Sequence, residues 1–371
     1  MKVLVTGGAG FIGSHVIDCL LERGHSVRVL DALVSQVHGD GRSRPDYLKP
    51  AVEVAVGKVE DAASTAHALQ GIDSVIHLAS AVGVGQSMYQ IVDYCTTNVL
   101  GTANLLQTIL DKRVNLKSFV VASSMSSYGE GRYCTVDGQL INPGIRKEAQ
   151  LARGDWNLWD SNGERLEPMP TDEEKPLNPT SVYAINKRDQ EEMCLSVGSA
   201  YDIPTTALRL FNVYGSRQAL SNPYTGVAAI FCARLLHSQP PLIFEDGLQR
   251  RDFVHVKDVA RAFVSAAENP AAGEAINIGS GESLSVVEIA EVLSLEMKKN
   301  IPPRILGKYR RGDIRHCFAD ISKARRLLAW EPSKTFREGV PELVEWVQKQ
   351  REVKDRVDSA WSELENRGLL S

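Results

Sequence analysis

The chain has 371 residues, 43% of them hydrophobic and 24% charged, and a formal net charge of −4. This is the composition of an ordinary globular protein, long enough for one large core or two modest ones. The acidic balance argues against indiscriminate nucleic-acid binding, and no apolar run approaches the length of a membrane span.

Lys2-Val3-Leu4-Val5 is a short apolar strand, and Thr6-Gly7-Gly8-Ala9-Gly10-Phe11-Ile12-Gly13 follows at once. Behind it Phe11, Ile12, Val16, Ile17 and Leu20 fall on one side of a helical pattern. Strand, glycine loop and helix in that order make a phosphate cradle: glycine lets the backbone approach a pyrophosphate, and the helix start offers free N–H groups. The strand leaves no room for a signal peptide before it, so a cytoplasmic location is expected. The next strand, Ser26–Leu30, ends in Asp31. An acid there binds ribose hydroxyls and repels a 2′-phosphate, and no Arg follows closely, so the expected cofactor is NAD and not NADP.

Val52–Val56, Ser74–Leu78 and Ser118–Ala122 read as buried parallel strands, with helices near 63–70 and 93–112. Asn98 falls inside the second of these helices, as either a solvated surface residue or one with a task. The expected fold is a Rossmann-type α/β protein with a doubly wound parallel sheet. Residues 129–178 break the alternation and are rich in Gly, Pro, Asn and Asp, with Trp156 and Trp159 isolated among charges. A stretch so long is an insertion, a lid or an interface element. A helix at 181–199 and a strand at Thr205–Arg209 resume the sheet. The expected division is a dinucleotide domain at 1–211, a smaller substrate domain over most of 212–350, and a terminal helix at 351–371. In that helix Val353, Val357, Ala360, Trp361 and Leu364 are spaced to pack on the body. Cys19, Cys95, Cys134, Cys194, Cys232 and Cys317 have neither metal-ligand nor redox spacing and read as reduced thiols, and no His pair suits a zinc helix, so no metal is expected.

Tyr183 and Lys187 stand at i and i+4 on the helix after the insertion, so phenol and ammonium share a face. A nearby cation stabilises phenolate. Taken alone, the pair fits an exposed helix face equally well. Ser123-Ser124-Met125-Ser126-Ser127 follows a buried strand at its carboxyl end, where ligands bind in open α/β sheets; there Ser124 is either a ligand to a reacting oxygen or a helix cap.

Together these residues resemble the extended short-chain dehydrogenase/reductase family, in its nucleotide-sugar epimerase/dehydratase branch. The resemblance spans His77-Leu78-Ala79, Asn98-x-x-Gly101-Thr102, Arg209-Leu210-Phe211-Asn212, Arg251-Asp252-Phe253 and Arg310-Arg311-Gly312-Asp313 besides the glycine loop, Asp31, Ser124, Tyr183 and Lys187. It implies Tyr183 as base and acid, with Lys187 and Ser124 beside it. It implies NAD on Gly7, Gly10, Phe11, Ile12, Gly13, Asp31, Val59, Ala79, Asn98 and Lys187. The nucleotide sugar would meet Val84, Gln86, Ser87, Ser126, Asn212, Tyr224, Arg251, Arg310 and Asp313, the two arginines gripping its diphosphate. The family also implies a homodimer paired through the helices near 93–112 and 181–199.

Within the branch, dehydratases place acids in the two positions after Ser124, and uronate decarboxylases place Glu at the second; this chain has Met125 and Ser126. Uronate 4-epimerases carry Thr where Asn212 stands and an Arg near Asn222. The resemblance therefore points to 4-epimerisation of a neutral or 6-deoxy nucleotide sugar. Val82-Gly83-Val84-Gly85-Gln86, Asn222-Pro223-Tyr224 and the insertion resemble a bacterial subgroup that interconverts dTDP-L-rhamnose and dTDP-6-deoxy-L-talose. UDP-glucose epimerisation, 4-ketoreduction and a non-catalytic dinucleotide sensor are the alternatives. Two features depart from the pattern. Lys58 stands where relatives have an Asp that accepts from adenine, and the insertion keeps only Cys134 where some relatives have cysteine pairs. Without zinc, the insertion is expected to be held by packing through Trp156 and Trp159.

Overall fold

The computed structural model describes residues 1–39, 43–350 and 353–370. Its centre is a seven-stranded sheet of β1 (Lys2–Thr6), β2 (Ser26–Asp31), β3 (Glu53–Val56), β4 (Ser74–His77), β5 (Ser118–Ser124), β6 (Thr205–Leu210) and β7 (Glu274–Ile278). The order across the sheet is β7-β6-β5-β4-β1-β2-β3 and every pairing is parallel. The chain reverses its direction of travel between β1 and β4, and the crevice at such a switch point is where ligands bind in these sheets.

The principal helices are α1 (Phe11–Glu22), α2 (Gly101–Asp111), α3 (Val182–Ala200), α4 (Val227–Leu236), α5 (Val256–Glu268), α6 (Val286–Glu296), α7 (Phe336–Gln348) and α8 (Val357–Asn366). One face of the sheet is covered by α1 and α5, whose Val16, Ile17, Leu20, Val259 and Phe263 join Val3, Val29 and Val120 in one core. The other face carries α2 and α3, with Leu105, Ile109 and Cys194 on Leu4, Val75 and Phe119. Covering both faces is why these strands read as near-continuous apolar runs.

The helix expected at 93–112 is divided. Ile91–Tyr94 is α-helical, Cys95–Leu100 takes a π-helical turn, and α2 follows. The expected boundary at residue 212 also needs correction, because α5 and β7 lie beyond it and belong to the first sheet. The remaining segments build a second core from Tyr214, Phe231, Phe253, Ile289, Leu293, Phe336 and Leu343, most of them on α4, α6 and α7.

The insertion forms a small antiparallel sheet of Leu140–Ile141, Arg132–Cys134 and Glu167–Met169 around Tyr133, Leu158 and Leu166. Tryptophan packing is not what holds it. Trp159 is 44% exposed and its indole N–H donates to Asp155, while Trp156 is half-buried beside Tyr309. The anchor is a buried charge network. Arg146 donates to both carboxylate oxygens of Glu245, at 3.0 and 2.8 Å, and Arg315 donates to Glu245 at 2.9 Å. Glu130 accepts from the backbone N–H groups of Arg315 and His316. Charges so deeply buried persist only when paired in this way.

Candidate active site

A continuous cavity of about 710 Å³ runs from the Gly7–Gly13 loop, past Ser124, Tyr183 and Lys187, to Asn212, Tyr224, Arg251, Arg310 and Asp313. The glycine loop closes tightly on itself. Gly7 has φ +68°, and a Cβ added at Gly13 would lie 2.5 Å from the Gly7 carbonyl oxygen. This compact turn brings the start of α1 to the cavity, and the first N–H groups of a helix have no carbonyl within it to bind. Asp31 ends β2 beside the loop, its two oxygens accepting from the Ala9 and Leu33 N–H groups at 2.9 Å. His38 stands 3.7 Å from the same carboxylate, and burial lowers its pKa. Phe11, Ile12, Val59 and Ala79 also line the cavity. Lys58 is turned to Glu60 at 3.4 Å and offers no acceptor to an adenine.

Asn98 does not line the cavity. It is fully buried at the π turn, and its side chain accepts from the Ala81 N–H at 2.7 Å and donates to the Ala81 carbonyl at 3.1 Å. It shapes the loop after β4 and is not a solvated surface residue. Gln86 and Ser87 are likewise supports. Gln86 accepts from Tyr94 and Gln36, and Ser87 accepts from the Tyr183 N–H at 3.0 Å, which caps the start of α3.

Tyr183 and Lys187 both face the cavity from α3. Lys187 is held against the interior strand β5, donating to the Ala122 carbonyl at 3.1 Å. Ser124, at the carboxyl end of β5, accepts from Ser126 Oγ at 2.9 Å. Burial raises the Tyr183 phenol to about 12, while a hydrogen bond with Ser124 pulls it down. Burial likewise drops Lys187 to about 7. The lowering of the phenol expected from its cationic neighbour is not among the causes of its shift: desolvation dominates and only the Ser124 hydrogen bond opposes it.

At the far end, Arg251 donates to the carbonyls of Ile314 and Arg315 at 2.7 and 2.8 Å. Arg310 donates to Asp313 at 2.9 Å and lies over the Phe244 ring at 4.9 Å. Asn212, Gln218 and Gln249 border the cavity, and the side-chain oxygen of each is buried without a partner. Buried acceptors left open in this way mark where a polar ligand belongs. Metal ligation has no comparable support, since no cluster of His, Cys, Asp or Glu suited to an ion occurs among the described residues.

Comparison with known proteins agrees with this geometry. The model of the NAD dependent epimerase/dehydratase family matches residues 3–148 and 160–279. The chain belongs to that family. A dTDP-L-rhamnose 4-epimerase of Burkholderia thailandensis is 35% identical over 349 residues, covering 93% of this chain and 94% of that one. The UDP-glucose 4-epimerase of Thermotoga maritima, solved with UDP-glucose, superposes with a TM-score of 0.77 at 30% identity, covering 94% and 99% of the two chains. A Bacillus cereus UDP-glucuronic acid 4-epimerase, solved with UDP-glucuronic acid and NAD, gives a TM-score of 0.75 at 28% identity, again covering 94% and 99%.

The cofactor of the family is NAD, and the glycine loop, the α1 start and Asp31 are the residues of this chain that fit it. Several cavity residues escaped the sequence reading. His38 and Phe244 border the cavity, as do Val357, Ala360, Trp361 and Leu364 of α8. The apolar spacing of α8 predicted a packed helix but carried no sign that its packing partner was a ligand cavity. His77 also lies under the site, with Thr6 at 2.7 Å and Thr102 at 2.9 Å on its two ring nitrogens.

Proposed function

We propose that the chain is a 4-epimerase of a neutral or 6-deoxy nucleotide sugar, with dTDP-L-rhamnose and dTDP-6-deoxy-L-talose as its pair. The observation that carries this reading is the absence of an acid at the two positions after Ser124. Met125 is buried in an apolar cluster with Tyr128 and Phe211, and Ser126 is bonded to Ser124. Neither position supplies the carboxyl group that dehydration would use to move protons at carbons 5 and 6. The side chain of Asn222 is buried and accepts from Gln36 and from the Tyr224 N–H, so that position offers no cation to a uronate. The similarity to the Burkholderia enzyme supports the deoxy-sugar pair.

In this reading the diphosphate is held between Arg251 and Arg310, which places the sugar against Tyr183 and Ser124. Tyr183 takes the proton of the 4-hydroxyl and later returns it. Ser124 orients that oxygen, and Lys187 holds the cofactor ribose and charges the surroundings of the phenol. NAD, when bound, supplies a reversible two-electron acceptor for carbon 4. The chain's remaining task is to let the oxidised sugar present its other face while Arg251 and Arg310 keep the diphosphate anchored.

We further propose a homodimer through the helical run from Ile91 to the end of α2 and through α3. Ile91, Val92, Leu100 and Ile185 on these elements are 50, 76, 55 and 45% exposed, and such an apolar patch on helices is the composition of an interface.

The deciding experiment incubates the purified chain with a panel of nucleotide sugars without added NAD and separates the products. Interconversion of dTDP-L-rhamnose is expected. Turnover of UDP-glucose alone would move the substrate to the galactose branch. Stoichiometric consumption of added NADH would replace epimerisation by ketoreduction.

A further inference from the structure

The last helix, α8, does more than pack on the body. Val357, Ala360, Trp361 and Leu364 recur at helical spacing and all four line the cavity. The helix spans the cavity between the two halves of the site. On the nucleotide side Trp361 lies on Phe244 with ring centroids 4.9 Å apart, and Phe244 carries the Arg310 guanidinium at the same distance. Lys308 pairs with Glu365 at 2.6 Å, and the chain beyond α8 bridges Leu370 to Arg310 itself. On the sugar side Leu364 reaches the Val84–Ser87 turn, so that a Cβ on Gly85 would sit 3.4 Å from its Cδ2. Arg367 lies over the Tyr89 ring at 4.3 Å, and Tyr89 is bonded to the cavity residue Tyr224 at 2.5 Å.

We propose that α8 is a wall of the substrate site, with Trp361 bounding the nucleotide end and Leu364 the sugar end, and that it sets substrate preference. The inference rests on the nucleotide-sugar reading above and deepens it. An apolar side chain at the sugar end loses contact with water when a methyl group is placed against it, but leaves a hydroxymethyl group without a hydrogen-bond partner. A 6-deoxy sugar is therefore the class that this wall favours. Removing the wall exposes the bound ligand to water and frees Phe244 and Arg310 to move.

The test uses the full chain carrying Trp361→Ala or Leu364→Gln, with calorimetric titration of dTDP, UDP, dTDP-L-rhamnose and UDP-glucose. Thermal unfolding and the NAD content of each preparation show that the fold and the cofactor site are intact. Trp361→Ala is expected to weaken binding of the nucleotides by about tenfold or more, the loss of one large buried contact. Leu364→Gln is expected to weaken dTDP-L-rhamnose and to spare free dTDP. Unchanged affinities in both variants would overturn the wall, as would tighter binding, which would make α8 a plug. If the wild-type chain binds none of the four probes, the nucleotide-sugar reading fails and the wall falls with it. If it binds UDP-glucose in preference to dTDP-L-rhamnose, the deoxy preference falls while the effect of Trp361→Ala still tests the wall.

Discussion

At the residue scale, desolvation sets the chemistry of the site. With Tyr183 raised to about 12 and Lys187 lowered to about 7, burial disfavours the charged form of each. Tyr183→Phe removes the proton carrier and little else, so kcat is expected to fall by about 10²–10⁴-fold, with NAD content and thermal stability unchanged. Full activity in that variant would refute the assigned role. His77 is lowered from 6.5 to about 3 by burial. Its folded pKa lies below the unfolded value, so its contribution to stability is complete above pH 6.5 and is lost as pH falls toward 3. Between pH 8 and pH 5 this term alone removes about 2 kcal/mol. Urea unfolding at the two pH values should show a smaller loss in His77→Gln than in the wild type. Equal losses would mean that other groups carry the pH dependence.

At the scale of elements, the insertion and the substrate site are tied together by charge. Arg146 also donates to the Asp313 carbonyl at 3.0 Å, in the loop that carries Arg310. Arg146→Leu strips buried partners from Glu130 and Glu245 and is expected to cost about 3 kcal/mol, read as a drop in Tm, and to raise KM for the nucleotide sugar more than it lowers kcat. An unaltered Tm would show that Arg315 alone satisfies both acids. This tie was not legible in the sequence: Glu130 and the Arg315 N–H that it accepts from are 185 residues apart, and nothing local marks either one. The strands were legible because burial on both faces leaves long apolar runs. That the glycine loop, Asp31, Ser124, Tyr183 and Lys187 meet at one cavity was legible because each depends on a local pattern along the chain. The positions of Asn98, Gln86 and Ser87 were less legible for the opposite reason. Each is a polar residue near the ligands in sequence, and only the π turn and the loop contacts show that it supports the site from behind.

At the scale of the whole molecule, the exposed helical patch makes its own prediction. Val92→Glu with Leu100→Glu places charge at the centre of the proposed interface. Light scattering behind size exclusion should give a dimer for the wild type and a monomer for the double variant. A monomeric wild type would remove the dimer. Among the described residues no helix is long and apolar enough to cross a membrane, so this patch is not part of a spanning segment.

The order of the strands has a further consequence. β7, the edge partner of β6, is encoded after α4 and α5. During synthesis β6 can pair with β5 while its other side still waits for Glu274–Ile278 to emerge from the ribosome. Until then the nascent chain presents a row of unpaired backbone donors and acceptors flanked by apolar side chains, an open template for association with another chain. A chain stopped at residue 211 would keep that edge permanently. The dinucleotide half is thus not a separable module: its completion is deferred until α4, the first helix of the substrate half, has been translated.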